Sequence, residues 1–121
     1  GEKVGFCAGE AACAQLELKT VAEAARAGDP LAKEVFETSA FHLGRGLAIL
    51  VDVLNPEVIA IGSVFARCED LLRPTAMRVL AEEALPAAVA RCRIVPAGLG
   101  EAIGDYAALA VAFAGLSGNL D

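Results

Sequence analysis

An α/β fold, mostly helical and carrying one parallel βαβ unit, is what the 121-residue sequence predicts. Three observations lead there. Apolar side chains recur at helical spacing from Leu31 through Val35, Ala40, Leu43, Leu47 and Leu50 to Leu54. Two short β-branched runs, Glu57–Gly62 and Cys92–Pro96, stand either side of a helical stretch. The composition is 56 % apolar with 26 alanines and only 5 % aromatic, which suits closely packed helices better than a β-sandwich. At 12.4 kDa the chain forms a single domain over 1–121, and its apolar content excludes disorder.

Taken in order, Gly5–Gly9 is a glycine-punctuated stretch, followed by a short helical piece over about Glu10–Leu16. Thr20-Val21-Ala22-Glu23 has the form of a capping box and predicts a helix that stops at Gly28, where a left-handed residue is needed. Asp29-Pro30 supplies an N-cap and a proline at N1 for the long helix. Gly44 and Gly46 inside it each cost roughly 1 kcal/mol against alanine, so close backbone approaches are expected there. Asn55-Pro56 ends it.

Glu57–Gly62 has no polar alternation and reads as a strand buried on both faces. Helix resumes near Ala66, with Pro74 at an N1 position, and runs to Leu85, where Pro86 breaks it. Cys92–Pro96 is the second strand. Gly98, Gly100 and Gly104 lead through a loose turn to a helix from Asp105 to about Leu116. The order is therefore α-α-β-α-β-α. Two strands cannot cover their own edges, so further strands are expected to be missing or supplied by a partner.

The net charge of −6 and the lack of a basic cluster disfavour nucleic-acid binding by this chain, and equally a basic membrane-surface motif. No apolar run is long enough for a bilayer, and Gly1-Glu2-Lys3 does not open a signal peptide, so a cytoplasmic location is expected. Cys7, Cys13, Cys68 and Cys92 form no CxxC pair and read as reduced thiols, with no zinc site. Met77 is the only methionine, which suggests that the chain is part of a larger protein.

Several side chains have two readings each. His42 is a conceivable general base or an ordinary helix histidine, the latter more in keeping with its place beside the apolar face. Asp52 either faces a cleft or bonds the amides of a neighbouring turn. Glu101 and Asp105 either hold Mg²⁺ through water or serve as helix-end residues, Asp105 as a cap. Cys68 and Cys92 are reactive thiols or packing residues. The apolar face of the long helix is core or an oligomer interface.

Four segments in series carry a family resemblance. They are Ala25-Arg26-Ala27-Gly28-Asp29-Pro30-Leu31-Ala32, Leu43-Gly44-Arg45-Gly46-Leu47-Ala48, Leu54-Asn55-Pro56-Glu57-Val58-Ile59-Ala60-Ile61-Gly62, and Ile94-Val95-Pro96-Ala97 with its following glycines. From Ala24 to Ala112 the chain resembles the C-terminal portion of the repressor/open-reading-frame/kinase (ROK) family of sugar kinases and sugar-responsive regulators. The resemblance implies part of the C-terminal lobe of an actin-like (ribonuclease H-like) ATPase fold. It places nucleotide-approaching backbone at Gly62, Ser63 and Val64 and at Gly98, Leu99 and Gly100. Where the family has further glycines, Ser63 and Val64 stand here.

The start of the chain departs more strongly. Glu2 stands where the family has a last zinc cysteine, Val4 where a carboxylate grips sugar hydroxyls, and Ala8 where a serine is usual. The family's DxGGT phosphate loop and its catalytic Asp would precede Gly1. The resemblance thus implies a protein that, when intact, moves the γ-phosphoryl of ATP to a sugar hydroxyl with Mg²⁺. This chain alone is expected to be inactive and to require no cofactor. Its expected partners are the missing N-terminal lobe or a second copy, with a small sugar and a nucleotide bound by the intact protein. Two alternatives stand beside this one: a sugar-sensing ROK transcriptional regulator with a helix-turn-helix ahead of Gly1, and a degenerate, non-catalytic oligomerisation module. The altered glycine turn leans toward a non-catalytic role.

Overall fold

A computed structural model describes residues 16–116, so the Gly1–Gly9 region and all but the last residue of the early helix expected at Glu10–Leu16 lie outside the described residues. In chain order the elements are α1 (Leu18–Ala27), α2 (Pro30–Leu54), β1 (Val58–Ile61), α3 (Ser63–Arg67), α4 (Glu69–Glu83), α5 (Pro86–Arg91), β2 (Arg93–Pro96), a 3-10 turn (Gly100–Ala102) and α6 (Ile103–Leu116).

The cap of α1 lies three residues ahead of the expected Thr20. This N-cap, Glu17, makes no side-chain capping bond. Leu18 packs against the core, and Glu23 lies along the helix 4.0 Å from Lys19 instead of reaching back to Thr20. The other end is as expected. Gly28 adopts φ 101°, and the amides of Gly28 and Asp29 close on the carbonyls of Ala25 and Ala24. One residue on, the Asp29 carboxylate accepts the Ala32 amide at 2.9 Å and Pro30 takes N1, so α2 starts where the sequence places it. Asn55, left-handed at φ 44°, ends it after 25 residues.

Between the strands the chain departs from expectation three times. Helix resumes at Ser63, not Ala66, and breaks at Cys68. Pro74 sits inside α4, where it simply withholds an N–H from the carbonyl of Asp70. Pro86 does more than stop a helix: it is the N1 residue of α5. The Asp52 carboxylate accepts the Leu85 amide at 2.9 Å just ahead of it, so Asp52 bonds a neighbouring turn and tethers α2 to α5.

β1 and β2 pair in parallel, Val58 with Arg93 through Ile61 with Pro96. The expected burial on both faces is not found. Val58 and Ala60 are exposed, and Ile94 is the one buried strand residue. Among the described residues the sheet has two strands only, so helices shield one side and leave the other bare. Arg73 stitches helix to sheet: its Nε pairs with Glu69 at 2.6 Å and its Nη2 donates to the Ile94 carbonyl at 2.8 Å.

The core lies between α2 and α4, with α1 laid against both. Ala32, Ala40, Val51 and Ala76 are wholly buried there. A Cβ on Gly44 would sit 2.6 Å from the Ala76 carbonyl oxygen and 2.7 Å from the Val79 Cβ, so the glycine marks the closest approach of the two helices. Gly46, expected to do likewise, has nothing within 4 Å. Gly44→Ala is therefore expected to destabilise the fold by about 2 kcal/mol through overpacking. Gly46→Ala should stabilise it by about 1 kcal/mol through helix propensity. Urea unfolding of both variants beside the parent measures the contrast.

Candidate functional site

At the carboxyl end of the parallel strands the chain leaves β1 through Gly62 and Ser63, and leaves β2 through Ala97 to Gly100. Such strand ends are where open α/β sheets place their ligands. The two exits are tied together by the Ala97 amide, which donates to the Ile61 carbonyl at 2.9 Å. Between them opens a cleft of about 560 Å³, lined by Gly62, Ser63, Ala66, Arg67, Ala97, Gly100 and Ile103.

Of the six residues expected near a nucleotide, the structure brings Gly62, Ser63 and Gly100 to this cleft. Gly98 and Leu99 lie in the adjoining turn without lining it. Val64 lines a separate apolar groove of about 350 Å³ on the other side of the turn, with Val21, Val35, Phe36, Leu43 and Phe65. Ala66, Arg67, Ala97 and Ile103 were not singled out from the sequence. The first two stand three and four residues after Ser63, and a helix start placed at Ser63 would have put them on its face.

Two backbone positions set the cleft's shape. Ser63 has φ 52° and Gly100 φ 49°, both left-handed. Glycine adopts that region without strain and serine does not. The resembled family's second glycine at this turn is what the backbone here would favour. Gly62, by contrast, is in ordinary extended backbone, and a Cβ on it would meet the Ala97 Cβ at an easy 3.7 Å. The chain's own packing does not require glycine there, and the bare backbone faces the cleft.

As a holder for a nucleotide, the cleft has the bare Gly62 and Gly100 backbone, apolar walls from Ala66, Ala97 and Ile103, and the Arg67 guanidinium. These fit a ribose and phosphate. Among the described residues that line the cleft there is no carboxylate. Asp105 stands exposed in the first turn of α6, which starts at Ile103, so it is not the cap expected of it. The Glu101 side chain lies outside the described parts.

The wall carrying Ser63, Ala66 and Arg67 is fixed from behind. Arg26, at the end of α1, forks onto Asp70 at 2.7 and 2.8 Å, and its Nη2 also donates to the Arg67 carbonyl at 3.3 Å. The hydrogen bond from Arg26 holds the Asp70 carboxyl below the usual carboxylate range, and the same bond raises Arg26. Cys68, at the junction the fork clamps, is buried, and burial pushes its thiol up. It packs rather than reacts. His42 is exposed on α2, edge-on to Phe41 at 5.4 Å between ring centres, and does not line the cleft.

The fold is that of a known class. The sequence profile of the ROK family matches residues 8–114, and the chain belongs to that family. The DNA-binding transcriptional repressor Mlc of Escherichia coli K12 is 39 % identical over 72 residues, 60 % of this chain and 18 % of that protein. The dual regulator NagC of the same strain is 36 % identical over 70 residues, 58 % of this chain and 17 % of that protein. The crystal structure of a ROK family transcriptional regulator, a homolog of E. coli Mlc, superposes with a TM-score of 0.62 at 30 % identity, over 68 % of this chain and 21 % of that one. The matched stretch is thus about a fifth of these relatives' length.

Two outcomes test the site's construction. Ser63→Gly relieves the left-handed serine and should raise stability by about 1 kcal/mol in thermal unfolding, while Ser63→Val should lower it. Asp70→Asn should lower the melting temperature at pH 7. Because the folded pKa of Asp70 lies below its ordinary 3.8, the pair's contribution is complete above that value and lost as pH falls through the folded one. The gap between the parent and Asp70→Asn should therefore narrow as the pH falls below 3.8.

Proposed function

We propose that this chain is the C-terminal part of a sugar-responsive ROK transcriptional regulator. The likeness to repressors carries the reading: Mlc and NagC each match over about 70 residues, and the solved relative is also a transcriptional regulator. A sugar kinase, expected first from the sequence, finds no such support among these relatives. The serine in the strained turn points the same way. In this reading the chain forms part of an actin-like C-terminal lobe, its two strands extended by others from the rest of the polypeptide.

The division of labour follows from charge. A chain of net charge −6 repels a phosphate backbone, so DNA contact belongs to another part of the protein. This part senses. The cleft between Gly62–Ser63 and Gly100 is retained as a small-molecule wall, with Arg67 as its cation. ATP and Mg²⁺ would be needed only by a kinase, and the regulator works without them in the cytoplasm.

The intact protein is expected to bind a specific duplex upstream of sugar-use genes in a mobility-shift assay, and to release it when one member of a hexose and N-acetylhexosamine panel is added. In parallel, ATP, Mg²⁺ and the same panel should yield no ADP. Steady ADP release with a phosphorylated sugar would make the protein a kinase and overturn the reading.

A further inference from the structure

Beside the cleft the chain bends at a hinge. α3 ends at Arg67, α4 begins at Glu69, and Cys68 between them leaves helical backbone at φ −127°, ψ 34°. α3 has five residues, and an isolated helix shorter than about a dozen residues is marginal in water. Its buried side chain is Phe65, and one anchor of that kind leaves a pivot. α3 also starts from the left-handed Ser63, a conformation that persists only where the surroundings impose it.

Arg26, at the end of α1, grips both sides of this hinge. Its Nε and Nη2 fork onto Asp70 on the α4 side at 2.8 and 2.7 Å. On the α3 side, Nη2 also donates to the Arg67 carbonyl at 3.3 Å. One planar group thereby sets the angle between two helices. Helix electrostatics favours its place: the cation stands at the carboxyl ends of α1 and α3, and Asp70 lies in the first turn of α4. Arg26 itself does not line the cleft.

We propose that Arg26 is a positioning residue of the cleft. By holding α3 across the hinge at Cys68 it fixes Ser63, Ala66 and Arg67 where a ligand meets them, and so sets the cleft's affinity. The inference rests on the sensing role given to the cleft above. Its effect separates from stability, because the Arg26 and Asp70 side chains are 44 % and 54 % exposed. Exposed pairs contribute little to a fold, so the fold survives the loss of this one.

The intact parent, Arg26→Lys and Arg26→Gln are titrated with the sugar that releases operator DNA, at room temperature and well below melting. Lysine keeps the charge but not the planar fork. Both variants should move the release midpoint about tenfold toward higher sugar, as expected when binding groups lose their placement. Hydrogen exchange, read by mass spectrometry, should quicken over residues 63–68 and stay at the parent's rate in α2. A merely structural loss would leave the midpoint unmoved, since the folded population at that temperature is essentially complete. Arg78→Gln, which removes the exposed Arg78–Glu82 pair of α4, should match the parent in both readouts.

Midpoints equal to the parent's in both Arg26 variants would overturn the positioning role and leave the regulator reading intact, whatever the exchange shows. ADP release from ATP and a sugar would instead remove the regulator reading. The same variants then answer through KM for ATP: a rise of about tenfold keeps the positioning role, and an unchanged KM ends it. A parent that neither releases DNA nor turns over ATP has no ligand at this cleft, and both readings fall.

Discussion

The contact between Gly44 and the Ala76–Val79 turn sets the spacing on which the rest of the molecule depends. With hydrogen in place of a side chain, α2 comes so close to α4 that the Ala76 carbonyl occupies the space a Cβ would need. Dispersion is strongest at such separations, and buried alanines at 40, 48 and 76 keep the helices close along the contact. That closeness fixes where α4 lies. Arg73 then transmits its position to β2 through the Ile94 carbonyl, and Asp52 anchors the start of α5. The cleft at the strand ends is downstream of one missing methyl group.

Local rules read best where a single residue decides the backbone. Gly28, Asp29-Pro30 and Asn55-Pro56 set the ends of α1 and α2 because capping chemistry and proline sterics act within a few residues. They read poorly where tertiary contact decides. The capping box at Thr20 lost to a helix start that lets Leu18 reach the core. Pro74 lost its expected boundary because packing holds α4 through the missing hydrogen bond. The strand run at Val58–Ile61 was found, but only the Ile59–Ile61 side packs on the core and the Val58–Ala60 side is covered by nothing among the described residues, a fact about neighbours that periodicity does not contain. Half of the expected site residues meet in the cleft. The Arg26–Asp70 fork spans 44 positions and left no local signal.

The turn after β1 faces two ways. Gly62 and Ser63 open to the cleft and also border the apolar groove, while Val64 and Phe65 point into the groove alone. A left-handed residue at Ser63 makes this possible by reversing the chain within one step. Movement of this turn in response to a ligand would shift the groove wall against α1 and α2.

The two edges of the sheet are chemically unequal. The amides of Arg93 and Ala97 turn toward β1, so Ile94 and Pro96 between them turn outward. There the Ile94 carbonyl is already taken by Arg73, and Pro96 has no N–H to offer. The outer side of β2 is thereby blunted against another strand, whereas β1 has no such guard among the described residues. Of the two edges, that of β1 is the better suited to take a further strand.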